Sequence, residues 1–150
     1  MTQPPNILIL MTDQQKASAL RLDNAIGIPA PAIERLAARG VRYEGCYTPH
    51  PLCVPARVSL WTGRYPHRHG ARTNAIPMPP GERHFAAVLN EAGYRLALFG
   101  KDHCFGPADA ALFEDRYVFS HQGPDETETE EEAAVVRWIR SARLCWALSS

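Results

Sequence analysis

Ile7-Leu-Ile-Leu-Met11 is an unbroken apolar run, bounded by Pro4-Pro5 before it and Thr12-Asp13 after it. A strand with one face in water alternates apolar and polar residues. A strand buried on both faces does not. The run therefore predicts a buried strand, as in parallel sheets, whose faces need helices to cover them. The rest of the chain offers them. Pro31 to Arg39 predicts a helix: Pro31 suits the first helical position, Ile33, Leu36 and Ala37 share a face, and Gly40 suits the stop. Val41 to Tyr47 predicts a strand. Pro49, Pro51 and Pro55 make Thr48 to Pro55 a loop. A short helix is expected from Pro55 to Thr62, stopped by Gly63. Ala75 to Glu82 predicts a further loop. Phe85, Val88, Leu89 and Ala92 recur at helical spacing up to Gly93, and Tyr94 to Phe99 predicts the next strand, closed by Gly100. Strands alternating with helices argue an α/β fold with a largely parallel sheet flanked by helices.

The tail differs. Between Glu128 and Leu148, the residues Val135, Trp138, Ile139, Ala142 and Trp146 form one helical stripe. Acids at its start and Arg137, Arg140 and Arg143 later suit the helix dipole. This predicts an amphipathic helix docked on the sheet, with a partner-binding helix as the alternative.

Length and composition fit one ordinary globular domain: 150 residues, 45% hydrophobic and 21% charged. Wholesale disorder is excluded. The formal net charge of +0 argues against a general polyanion binder, including a nucleic-acid binder, but it is unevenly laid out. No Asp or Glu occurs from Gly45 to Gly81, which holds Arg57, Arg64, Arg68, Arg72, His50, His67 and His69. Six acids then crowd into Asp125–Glu132. No segment approaches the roughly 20 apolar residues of a membrane helix. The amino terminus lacks the basic start and long apolar stretch of a signal peptide, so a cytoplasmic chain is expected. Cysteines at 46, 53, 104 and 145 show no zinc-type spacing and are expected to be free thiols.

Ligands in open α/β sheets bind beyond the carboxyl ends of strands. Asp13 and Gln14 follow the first strand, Cys53 lies in the loop after the second, and Lys101, Asp102 and His103 follow the strand ending at Phe99. Asp13 and the Gln14 amide oxygen suit a hard cation, or else Asp13 caps a turn. Pro55 would place Cys53 at a helix N-terminus, where backbone N–H groups favour an anion. Arg57 lies one turn on and can bind an oxyanion in bidentate fashion. The bland alternative is a buried Cys and a surface Arg. The two differ from the cysteine phosphatases, which place five residues between Cys and Arg where this chain places three. Lys101 and His103 point to one side if the chain stays extended, and could supply charge and a proton relay. A solvated turn is the alternative, and a solvated basic loop is the reading for most of Arg64, His67, Arg68 and His69.

Three segments together resemble the type I, formylglycine-dependent sulfatases of the alkaline phosphatase superfamily. Pro5-Asn-Ile-Leu-Ile-Leu-Met-Thr-Asp13-Gln14-Gln15 resembles the family's opening. Cys53-Val-Pro-Ala-Arg57, followed by Thr62-Gly-Arg64, resembles its C-x-P-x-R and T-G-R signature. Gly93-Tyr94 through Gly100-Lys101-Asp-His103 resembles its G-Y and G-K-x-H signature. The resemblance runs from about Pro5 to Gly106, and more loosely to Gly123. It implies an alkaline-phosphatase-like sheet, incomplete in this chain. Residues 1–124 would form the amino-terminal part of a catalytic domain, and 125–150 a divergent acidic segment and amphipathic helix.

The resemblance also implies roles. A formylglycine-generating or sulfatase-maturing enzyme would oxidise Cys53 to formylglycine, whose hydrate attacks a small-molecule sulfate ester. Sulfate then leaves by elimination. Asp13 and Gln14, with Cys53 as formylglycine, would ligate a divalent cation. Arg57 would hold the hydrate, Lys101 would contact hydrate and sulfate, and His103 would orient or deprotonate the diol. Many relatives carry Asp-Asp where this chain has Asp13-Gln14. Calcium is the family ion, with manganese or zinc the alternatives that Gln14 suggests. The Asp-Gln pair also resembles phosphonate and phosphate diester hydrolases of the superfamily, which makes that activity the second reading. A non-catalytic oxyanion-binding fragment is the third. Family members are several times longer, with further ligands beyond position 150, so weak metal binding and little turnover are expected of this chain alone.

Overall fold

The computed structural model describes residues 4–20, 27–118 and 135–139, and the backbone of 146–149. Four strands form one sheet in the order β1 (Leu8–Met11), β4 (Trp146–Ser149), β2 (Leu96–Gly100), β3 (Phe113–Val118), with every pair parallel. Between them run α1 (Pro31–Arg39), α2 (Cys53–Thr62), α3 (Pro66–His69), α4 (Phe85–Glu91) and α5 (Pro107–Ala110). A further helical stretch, α6, spans 135–139. The α/β expectation holds, with the structure divided into two compact units: Met1–Met11 with Thr48–Ser150, and Thr12–Tyr47.

In the first unit β2 is one of the two inner strands, and all five of its residues are buried. Leu96 and Leu98 face a cluster of Val54, Val58, Trp61, Ala71, Met78, Ala86, Cys104 and Phe113. Ala97 and Phe99 face Trp138 on the other side, with Phe99 and Trp138 ring centroids 5.6 Å apart. Helices thus cover both faces of β2, as an unbroken apolar strand requires. Trp61 anchors the first cluster. It stacks on Phe85 at 4.3 Å and meets Phe105 at 4.8 Å. Burying a large apolar side chain contributes about 1.5–3 kcal/mol, so these residues supply most of the unit's cohesion.

Several expectations change. β1 is half-buried rather than fully buried: Ile7 and Ile9 pack on the first cluster, while Leu8 and Leu10 are exposed. The strand expected at 41–47 does not form. Val41, Tyr43 and Tyr47 are exposed and no strand among the described residues pairs with them, and without a ladder partner β-propensity alone does not hold a strand. The tail is not one long helix. Its described part is helical at 135–139, but Trp146–Ser149 is a strand paired on both sides, which no residue on a helical stripe can be. The acidic run Asp125–Glu132, Arg140, Ala142, Arg143 and Cys145 lie outside the described residues. Among the described residues, Cys46, Cys53 and Cys104 are in no disulfide. Among the described residues no helix is long and apolar enough to cross a membrane.

Candidate active site

β1, β4 and β2 run parallel and in register, with Met11, Ser149 and Gly100 aligned at their carboxyl ends. β4 separates β1 from β2, so the two motif-bearing strands are parallel but not neighbours.

Helix α2 begins at Cys53, two residues earlier than the prolines suggested. Pro55 sits in the first turn, where its missing N–H is no loss because that group has no intrahelical partner. Leu52 leads in with an extended backbone, and its N–H donates to His50 Nδ1 at 3.1 Å. The Val54 N–H, another amino-terminal donor, donates to Asn74 Oδ1 at 3.1 Å. Gly63 ends the helix in the left-handed region at φ 67°, which glycine adopts at little cost.

Arg57 is buried, 5% exposed, and not on the surface. Its Nη1 donates to the Lys101 carbonyl at 2.7 Å. The Lys101 ammonium in turn lies 3.9 Å from Cys53 Sγ. Two of the three sequence motifs therefore meet physically, through one side chain and one backbone group.

The Lys101–His103 segment does not stay extended. Gly100 has φ 86° and His103 φ 60°, so the chain bends at both. Lys101 is half-buried, His103 is exposed and Asp102 is turned inward. Asp102 Oδ1 accepts from the N–H groups of Cys104 at 3.3 Å and Phe105 at 3.0 Å, and Oδ2 accepts from Arg116 Nη2. Burial, with the Asp102 charge adding to it, pushes the neighbouring Cys104 thiol up to about 12, so it stays protonated.

Asp13 and Gln14 lie at the start of the second unit, just after Thr12. Gln14 has φ 53°, and with His103 it is one of two non-glycine residues at positive φ among those described. Both follow a strand end, and left-handed backbone outside glycine concentrates at functional positions. The Asp13 carboxylate and Gln14 amide are hard oxygen donors that suit a hard divalent cation. Among the described residues no group of three or more His, Cys, Asp or Glu could hold a metal, so these donors fit the ion but form only part of a shell.

The basic stretch resolves into different fates. Arg64 pairs with Glu82, the first acid after the gap, and Arg68 and Arg72 are exposed. His69 is 2% exposed, its Nδ1 accepts from the Ala71 N–H at 3.2 Å, and its Nε2 lies 2.9 Å from Ser59 Oγ. Nε2 therefore carries the hydrogen and donates it to Ser59. Burial lowers the His69 pKa. Asn74, Asp102 and Arg116 gained no role from sequence. Asn74 and Arg116 meet partners 20 and 14 residues away, a separation no local pattern encodes.

The sulfatase family profile matches residues 5–129. Choline-sulfatase of Rhizobium meliloti is 39% identical over 115 residues, covering 77% of this chain and 22% of that protein. N-acetylglucosamine-6-O-sulfatase of Bacteroides thetaiotaomicron is 33% identical over 102 residues, 68% of this chain and 18% of that one. The chain thus spans about a fifth of the length of these relatives. A protein solved in complex with its substrate D-glucosamine-2-N,6-O-disulfate superposes with a TM-score of 0.82 at 22% identity, over 98% of this chain and 34% of that one. The phosphonate monoester hydrolase of Agrobacterium radiobacter superposes with a TM-score of 0.81 at 20% identity, over 97% of this chain and 40% of that one.

Proposed function

The chain belongs to the sulfatase family, and from that premise we propose that it carries the nucleophile-bearing part of a sulfuric ester hydrolase, with Cys53 as the residue converted to formylglycine. One contact carries the reading: Cys53 Sγ lies 3.9 Å from Lys101 Nζ on the first turn of α2. The sulfur stands where a formylglycine oxygen would be. Formylglycine and a divalent cation would supply a hydrated aldehyde as nucleophile and a Lewis acid for the ester.

The chain's own residues do the rest. The amino end of α2 favours negative charge beside Cys53. Arg57, fastened to the Lys101 carbonyl, holds the first turn against the β2 end and keeps a buried positive charge there. Lys101 sets its ammonium against the nucleophile and a sulfate oxygen, where charge develops during transfer. His103, at the exposed bend, holds or moves a proton at the nucleophile. Asp13 and Gln14 would hold the cation, calcium first and manganese or zinc second. The partners would be a small-molecule sulfate ester and a formylglycine-generating or sulfatase-maturing enzyme.

Co-expression with a maturing enzyme, followed by mass spectrometry of the tryptic peptide Tyr43–Arg57, tests this. Conversion at Cys53 is expected, and an unmodified thiol there would overturn the reading. Gln14 supports phosphonate or phosphate diester hydrolysis as the second activity, and parallel assays with an aryl sulfate and a phosphate diester separate the two. With Asp13 and Gln14 as the proposed oxygen donors among the described residues, against the roughly six to eight oxygens that calcium takes, the 150-residue chain is expected to bind metal weakly and turn over little. Robust aryl sulfate hydrolysis by it, lost in Cys53→Ala, would contradict that.

A further inference from the structure

Lys101 stands beside Cys53 in a stretch of chain beyond β2 that is bent on either side of it, and the bent stretch is held from below. Gly100 and His103 both have positive φ, at 86° and 60°. Glycine adopts that region freely, but histidine at φ 60° is strained and needs its surroundings to hold it. Between them, the Asp102 side chain is 4% exposed and points into the protein. A buried carboxylate is costly unless its oxygens are satisfied. Here they are. One oxygen gathers the N–H groups of Cys104 and Phe105, the two residues just past the bend, and the other accepts from Arg116 on β3. β3 is a direct parallel neighbour of β2, so Arg116 is braced by the sheet itself. On the opposite side, Arg57 on α2 donates to the Lys101 carbonyl. The turn is thus clamped from α2 through its backbone and from β3 through the Asp102 side chain.

We infer that Asp102, braced by Arg116, is a positioning residue: it fixes the His103 bend that delivers the Lys101 ammonium to Cys53. The inference rests on the proposed site in one respect, namely that Cys53 and Lys101 act together. Asp102 touches neither nucleophile nor sulfate. Its effect is to convert a two-residue excursion from the sheet into one defined position of a cation.

The test reads that position without turnover. The full chain is expressed in a host that leaves Cys53 as a thiol. It is alkylated separately with iodoacetate, which is anionic, and iodoacetamide, which is neutral. Peptide mass spectrometry gives the rate ratio at each cysteine, and the ratio cancels the thiolate fraction. A unit charge about 4 Å away in water is worth about 1 kcal/mol, so Lys101 is expected to raise the ratio at Cys53 about fivefold. Lys101→Met sets the floor. Exposed Cys46 is the reference, and buried Cys104 must stay unreactive if the core is intact.

In Asp102→Asn the ratio at Cys53 is expected to fall toward the Lys101→Met floor. The sign decides the matter, because removing a negative charge by itself raises the preference for an anionic reagent. Arg116→Met is expected to lower the ratio too, and Arg116→Lys to restore it. A Cys53 ratio that rises or stays level in Asp102→Asn, with Cys104 still protected, overturns the inference. If Asp102→Asn exposes Cys104, Arg116→Met decides, read in the native and in the Lys101→Met chain because losing a positive charge lowers the ratio by itself: no fall in the native chain, or an equal fall in both chains, overturns the inference. Failure of Cys53 to mature would overturn the sulfatase reading instead, and would leave these ratios unchanged.

Discussion

Helices α1 and α2 are nearly equal in length, nine and ten residues, carry proline in the first turn and end at glycine. Yet α2 buries Val54, Pro55, Arg57, Val58, Ser59 and Trp61, whereas α1 buries none of its residues. Their sequences announce this in an unexpected way. α1 has the sharper division into apolar and polar faces, the usual mark of a helix lying on a core. α2 mixes apolar and polar residues around its whole circumference, because neighbours surround it. A sharp stripe tells that a helix forms. It does not tell how much of it disappears from water.

The contrast can be broken by substitution. Trp61→Ala removes the centre of the aromatic cluster and is expected to destabilise the fold by about 3–5 kcal/mol in urea unfolding. Leu36→Ala, on the 60% exposed apolar residue of α1, should stay within about 0.5 kcal/mol. Equal losses would mean that α1 is as deeply engaged as α2. Asn74→Ala sharpens the contrast at the other end of α2. It withdraws the acceptor of the Val54 N–H, and by analogy with a lost helix cap the cost should be about 1 kcal/mol.

The smallest effect is a slope. Desolvation of His69 lowers its pKa below the ordinary 6.5, opposed by Glu82 and reinforced by Arg64, His50 and His67. As pH falls, the unfolded chain therefore takes up the proton first. The stability that the neutral ring confers is complete above about 6.5 and is lost as pH falls through the lower folded value. Charging the ring would also set a second N–H against that of Ala71. Urea midpoints should fall on acidification in the wild type, and His69→Gln should flatten that dependence. An unchanged slope would show that His69 is not the group responsible.

Much of the fold was legible where local signals agree. Gly63 and Gly93 stop helices at positive φ, Pro31 starts one, and the run from Leu96 to Gly100 is buried throughout. Signals failed where pairing is decided at a distance. Val41, Tyr43 and Tyr47 have strand composition but no strand partner among the described residues, and Trp146 fits a helical stripe yet pairs with Leu8. At the candidate site, the motif residues could be named from sequence because their types recur at fixed spacing. Their supports could not. Asn74, Asp102 and Arg116 act through contacts that only the packed chain creates.

The seating of β4 between β1 and β2 also bears on the order in which this sheet can be assembled during synthesis. Leu8 pairs with Trp146, and Leu98 with Ala147, so the inner strand is the last of the four to leave the ribosome. Until then β1 and β2 present open edges to the solvent with nothing between them. Such long-range pairing is entropically slow, and unpaired edges invite other chains. A nascent chain halted before Trp146 would hold helix α2 against β2 while its first strand still waited for a neighbour.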